Sequence, residues 1–216
     1  MSEEDKLYIS YNHIHQLCKE IAPKILSLDI DFIIAIGGGG FIPARILRTF
    51  LKQPGEPSKR IFAIILSLYE DLNTKGDNAE EVGTEVKRVQ WLDYKSSGVD
   101  LVGKKILVID EVDDSRTTIH YAIGELEKDA AEQAKERGVD NDTEFFVFVL
   151  HNKLKPKRAE LPECVKKDGH YIAARETGDV WIAYPWETDD IIHHQLMAEK
   201  QGYDIDIDRS VNDNSI

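Results

Sequence analysis

With 216 residues the chain is long enough for one sizeable α/β core and short for two. Its 27 Lys and Arg against 40 Asp and Glu leave a net charge of -13, which argues against a partner such as nucleic acid or an anionic membrane held by long-range charge. Cys18 and Cys164 form no CxxC pair and suit free thiols in a reducing compartment. With no apolar leader and no apolar run near about 18 residues, a soluble intracellular protein is expected.

In chain order, Ile14, Leu17, Cys18, Ile21, Ile25 and Leu26 recur at helical spacing behind Ser10, a side chain suited to cap, so a helix is predicted over 10–26. An isoleucine-rich strand over 31–36 stops at Gly37, Gly38, Gly39 and Gly40, and helical spacing resumes over 42–51. This glycine loop matches neither G-x-G-x-x-G nor a P-loop. Taken alone it allows two readings, a tight strand-to-helix turn or close backbone approach to a phosphate. A second buried strand is predicted over 60–68. The following segment, 70–88, is polar and weakly periodic, a length that in a compact domain marks a functional or disordered loop.

The densest chemistry lies in 104–121, KKILVIDEVDDSRTTIHY. A strand over Ile106 to Ile109 runs into Asp110, Glu111, Asp113 and Asp114, which stand where that strand should end. Like charges this close repel unless a cation or a hydroxyl-rich ligand offsets them. Ser115, Arg116, Thr117 and Thr118 then open a helix predicted over 117–137 and stopped by Gly138. Helix N-terminal N–H groups bind phosphate, so the stretch describes a phosphorylated-sugar site; a helix needing only a cap would use one such residue. Another strand is predicted over 144–150. Strands alternating with helices point to an α/β fold with a mostly parallel central sheet. Beyond it, a basic run over 153–157, strand-like pieces over 171–175 and 180–184 and a helix over 189–201 read as a small accessory layer over the sheet, followed by a frayed tail over 203–216. His193 and His194 diverge on a helix and, like His13, His15, His120, His151 and His170, read as structural or surface groups.

The run IDEVDDSRTT resembles the phosphoribosyl pyrophosphate (PRPP) motif of type I phosphoribosyltransferases. With IAIGGGGFIPARILRTFL, ILSLYEDL, FVLHNKLKPKRAELP and WIAYPWE in this order, the chain looks like the fungal hypoxanthine-guanine enzymes of that family. The resemblance implies the type I phosphoribosyltransferase fold with a small hood: a single domain over 1–216, with its core over about 10–152 and the hood over about 153–202. It also implies purine salvage, with hypoxanthine or guanine and PRPP giving IMP or GMP and pyrophosphate. A xanthine-preferring sibling and a non-catalytic PRPP-sensing module are the alternatives. In such enzymes Asp110 and Glu111 match the acids at the ribose hydroxyls and a PRPP-bound Mg²⁺, and Asp114 matches the catalytic acid beside purine N7. The loop of Asp114, Ser115, Arg116, Thr117 and Thr118 would take the 5′-phosphate, and Gly37 to Gly40 the pyrophosphate, through a loop that often holds a cis non-proline peptide. The chain departs from many relatives at Gly38, where they carry Lys or Arg; Arg45 is the candidate substitute. Ser67, Leu68 and Tyr69 match the start of a mobile lid. Lys153 matches the lysine on the purine 6-oxo group, Trp181 the aromatic that stacks on the base, and Ile182 the residue whose carbonyl faces the 2-position. Glu187 is assigned near a second Mg²⁺ or the pyrophosphate. Asp113 has no motif role and reads as exposed; Lys155, Lys157 and Arg158 read as solvated charges. A cytoplasmic homodimer is expected, with nuclear presence also compatible, and no nucleic acid or membrane partner.

Overall fold

A computed structural model describes residues 6–69, 85–94 and 96–202. Residues 70–84 of the lid expected over 67–88 and the tail over 203–216 lie outside these described residues. A six-stranded sheet forms the centre, in the order β4-β3-β2-β5-β6-β7. Its members are β2 (Phe32–Gly37), β3 (Arg60–Tyr69), β4 (Glu85–Gln90), β5 (Lys105–Asp113), β6 (Glu144–Lys153) and β7 (Tyr171–Thr177). All pairings are parallel except β3 with β4. Strands buried on both faces need apolar residues at every position, which is why their sequences run without polar alternation. Even so, the two faces separate with period two. Ile33, Ala35, Leu107, Ile109, Phe146 and Phe148 pack under helices α1 (Tyr11–Leu26) and α2 (Phe41–Phe50). Ile34, Ile36, Ile106, Val108, Val147 and Val149 pack with α3 (Thr117–Arg137) on the other face.

The helices begin and end for local reasons. Ser10 Oγ accepts the His13 N–H at 3.0 Å and caps α1. Gly138 closes α3 at φ 67°, a left-handed turn that glycine adopts without a Cβ clash.

Several elements differ from the sequence expectation. β5 continues through Asp113, so Asp110, Glu111 and Asp113 lie within the strand and only Asp114 beyond it: Asp110 pairs with Val149 and Asp113 with Asn152. The end of the expected loop, Glu85 to Arg88, is strand β4. The piece at 171–175 belongs not to an accessory layer but to the central sheet, as its edge strand β7. A separate two-stranded ribbon joins β1 (Lys6–Tyr8), unread in the sequence, in parallel to β8 (Trp181–Ala183). Helix α4 (Ile191–Lys200) closes on that ribbon. His194 Nε2 meets Ile9 O at 2.9 Å, and Gln201 accepts the Tyr8 N–H at 3.0 Å while donating to Lys6 O at 2.7 Å.

Candidate active site

Because β2, β5 and β6 are adjacent and parallel, their carboxyl ends deliver the glycine loop, the acids and Lys153 to one edge of the sheet, where open α/β sheets collect ligands. The Gly37–Gly38 peptide is cis. A Cβ at Gly39 would collide with the Glu111 carboxyl group, and one at Gly40 with the Ile36 and Ile109 carbonyls, so only glycine lets this loop settle against β5. Gly38 faces open space. Arg45, the candidate substitute, lies exposed on α2 and donates to Thr49 Oγ1 at 3.0 Å, one turn further along the helix.

Asp110 is buried, and its Oδ1 accepts the Glu111 N–H at 2.9 Å. Burial, with the Glu111 charge adding, pushes the Asp110 carboxyl well above the usual range. Glu111 Oε2 is buried with no hydrogen-bond partner. Its main chain is held from below: the Tyr184 hydroxyl donates to Glu111 O at 3.0 Å, lies 2.8 Å from His151 Nδ1, and its ring stacks on Trp186 at 4.7 Å. Glu187 Oε2 accepts the Tyr184 N–H at 3.4 Å, and its carboxyl is raised by burial and by the Glu111 charge. Among the described residues no three His, Cys, Asp or Glu side chains converge as a closed metal cage.

Asp114 carries the link to β6. Its Oδ2 accepts from Lys153 Nζ at 2.7 Å and its Oδ1 pairs with Lys155 Nζ at 2.5 Å; Lys155 also reaches Asp179 at 2.9 Å. Burial would raise the Asp114 carboxyl, but the hydrogen bonds and charges of the two lysines outweigh it and hold the group below its ordinary value. A cavity of about 300 Å³ opens here, lined by Asp110, Glu111, Asp114, Ser115, Arg116 and Thr118 on one side and by Lys155 and Arg158 on the other. Ser115 Oγ lies 3.0 Å from Thr117 Oγ1 and accepts the Thr117 N–H at 3.4 Å, while Arg116, the residue at the N-cap of α3, offers no side-chain cap. Lys153 is 8 % exposed, Ile182 is buried, and Trp181 is 52 % exposed on β8, away from the cavity wall. Ser67 is half-buried on β3, and Leu68 and Tyr69 continue that strand.

Three residues read from the sequence as idle are engaged. Asp113 is not exposed but 1 % accessible, bonded to Arg116 and Tyr171. Lys155 is fixed between two carboxylates, and Lys157 donates to the carbonyls of Asp113 and Asp114 at 2.6 and 2.9 Å. The one signal for the two lysines was their place in the same basic run as Lys153; the Tyr171 and Asp179 partners carried none.

No protein-family model matches the chain. It is 60 % identical over 212 residues to a hypoxanthine-guanine phosphoribosyltransferase of Saccharomyces cerevisiae, covering 95 % of this chain and 96 % of that one. A xanthine phosphoribosyltransferase of the same yeast is 50 % identical, with 94 % and 100 % covered. A Schizosaccharomyces pombe hypoxanthine-guanine phosphoribosyltransferase is 55 % identical, with 91 % and 96 % covered. Among solved structures, a Neisseria gonorrhoeae protein with bound ppGpp is similar at a TM-score of 0.69 and 39 % identity, covering 91 % of this chain and 97 % of that one. A purine phosphoribosyltransferase from Pyrococcus horikoshii shares the fold at a TM-score of 0.59 and 22 % identity, with 87 % and 97 % covered.

Proposed function

The chain belongs to the purine phosphoribosyltransferase family, and from that premise we propose that its cleft transfers the phosphoribosyl group of PRPP to hypoxanthine or guanine, giving IMP or GMP and pyrophosphate. The observation that carries the substrate class is the Lys153–Asp114 pair beside the 300 Å³ cavity. An ammonium donor suits the 6-oxo acceptor of hypoxanthine or guanine and opposes the 6-amino group of adenine, donor against donor. The neighbouring carboxylate, kept ionised by Lys153 and Lys155, is an acceptor for the proton on purine N7.

The remaining residues divide the substrate among them. The uncapped start of α3, with Ser115, Thr117 and Thr118, offers N–H and hydroxyl donors to the 5′-phosphate. Asp110 and Glu111 sit at the ribose, and the Gly37–Gly40 backbone lies against Glu111, where the pyrophosphate would leave. Trp181, half-exposed on β8, is the aromatic that would stack on the base. Transfer is then a displacement at ribose C1′ in which the chain positions both reactants, accepts the N7 proton and holds the leaving pyrophosphate on backbone N–H groups.

Mg²⁺ fits this donor set. Glu111 Oε2 is a buried oxygen without a protein donor, and Asp110 is a carboxyl whose ionisation the protein disfavours; a cation relieves both. Without a closed protein cage, the ion would be held by one or two of these carboxylates together with substrate oxygens, the usual habit of Mg²⁺. Bound there, it would supply charge stabilisation to pyrophosphate. The two cysteines, both free thiols, support residence in a reducing compartment such as the cytoplasm.

Rates of monophosphate formation on hypoxanthine, guanine and xanthine, each with PRPP and Mg²⁺, test the reading. Turnover of the first two ahead of xanthine is expected. No product from any of them would overturn the transferase assignment, and a strong preference for xanthine would move the chain to the sibling activity found in the 50 % identical relative.

A further inference from the structure

The turn that opens α3 depends on a buried anion that the transfer chemistry leaves unused. Asp113 Oδ2 accepts from Arg116 Nε and Nη2, each at 2.9 Å, and from the Tyr171 hydroxyl at 2.7 Å. Its Oδ1 lies 3.5 Å from Lys157 Nζ, within ion-pair reach though beyond a good hydrogen bond. Lys157 in turn bonds the carbonyls of Asp113 and Asp114, and the Arg158 N–H donates to Ser115 O at 3.0 Å. One carboxylate on β5 thus gathers the edge strand β7, the segment after β6 and the loop before α3.

The residue it grips most firmly is the one whose backbone is least at ease. Arg116 sits at φ 70° and ψ -2°, in the left-handed region where a Cβ crowds the following carbonyl. A residue with a side chain stays there only if its surroundings hold it. The guanidinium is pinned by two nitrogens to Asp113 and lies 5.4 Å from the centre of the Tyr171 ring, so the side chain, rather than glycine freedom, fixes the turn. The formal charges matter as well: one buried anion against Arg116 and Lys157 leaves a single net positive charge beside the loop.

We infer that Asp113 is a positioning residue for the 5′-phosphate loop, holding Arg116 in its left-handed turn so that the first N–H groups of α3 face the phosphate. It acts through Arg116, its own side chain being closed off from solvent. The inference rests on the reading of Ser115 to Thr118 as the 5′-phosphate site.

A buried ion pair that merely stabilised the fold would lower Tm when broken and leave substrate affinities alone, so the test must separate the two. Steady-state kinetics on the full chain compare wild type with Asp113→Asn, which keeps shape and loses charge, and with Tyr171→Phe, which removes one hydrogen bond and keeps the charge. For Asp113→Asn the KM for PRPP is expected to rise about tenfold, with kcat and the purine KM within about threefold of wild type. Tyr171→Phe should move the PRPP KM the same way by about two- to threefold. Adding Arg116→Gly to Asp113→Asn should recover part of the lost PRPP affinity, because glycine takes the left-handed turn without a clamp. An unmoved PRPP KM in both single variants, equal losses in all kinetic constants, or no recovery in the double variant would overturn the role. Should Asp113→Asn fail to fold, the PRPP KM of Tyr171→Phe decides. An inactive wild type would overturn the transferase reading instead; an active wild type with unmoved PRPP constants overturns the role of Asp113 alone.

Discussion

At Asp114 two lysines meet one carboxylate, and the balance decides its state. Burial favours the neutral acid, yet the Lys153 and Lys155 contacts keep the group ionised, so at neutral pH it can only accept a proton or a hydrogen bond. Asp114→Asn keeps the shape and removes the acceptor of the proton. Its kcat is expected to fall by about 10² to 10³, the usual scale for a positioned general base, with the PRPP KM changed far less. A kcat within a factor of three of wild type would rule out this role for Asp114. Residues of this kind were legible because residue type and motif order mark them. Asp113 and Lys157 were not, since nothing local in a charged residue records that a tyrosine 58 positions away will bury it.

The glycine loop shows how an element can be tuned by what lies under it. A side chain at Gly39 has nowhere to go but into the Glu111 carboxyl, whereas one at Gly38 meets nothing. Gly39→Ala should therefore displace Glu111 and lower kcat/KM for PRPP by more than tenfold. Gly40→Ala, whose Cβ would meet the Ile36 and Ile109 carbonyls, should reduce Tm, while Gly38→Ala should leave Tm within about 2 °C, the scale of a surface substitution. Equal Tm losses in Gly40→Ala and Gly38→Ala would contradict this packing. Helices α1 and α3 were legible to within a residue, because their apolar spacing, the Ser10 cap and the Gly138 stop are local signals. The far end of β5 was not, because four carboxylates look like a strand terminus until β6 is present to pair with Asp110 and Asp113. Nor was the place of β7, since an apolar run records its own burial and not its neighbour.

Across the whole molecule, a net charge of -13 surrounds a site where Lys153 and Lys155 meet Asp114 and where Arg116 and Lys157 meet Asp113, so the cations gathered there are matched by carboxylates. The centre also carries an acid-labile group. Burial, with the charges of His13 and Arg175 adding, holds the His151 imidazole down to about 3 from an ordinary 6.5. The unfolded chain then takes a proton that the folded chain refuses, so stability is complete above about pH 6.5 and declines as pH falls toward about 3. The Tm of the wild type should drop between pH 7 and pH 5 more steeply than that of His151→Gln, whatever the variant's starting value; parallel slopes would remove His151 from the account. Finally, the ribbon of β1 and β8 sets an order of assembly. Lys6 emerges from the ribosome first and cannot pair until Trp181 follows, and α4 locks the join later still, through Gln201. The last strand of the six-stranded sheet ends at Thr177, before the residues of that join. Folding that follows the chain would therefore close the central sheet first and fasten the N-terminal strand last.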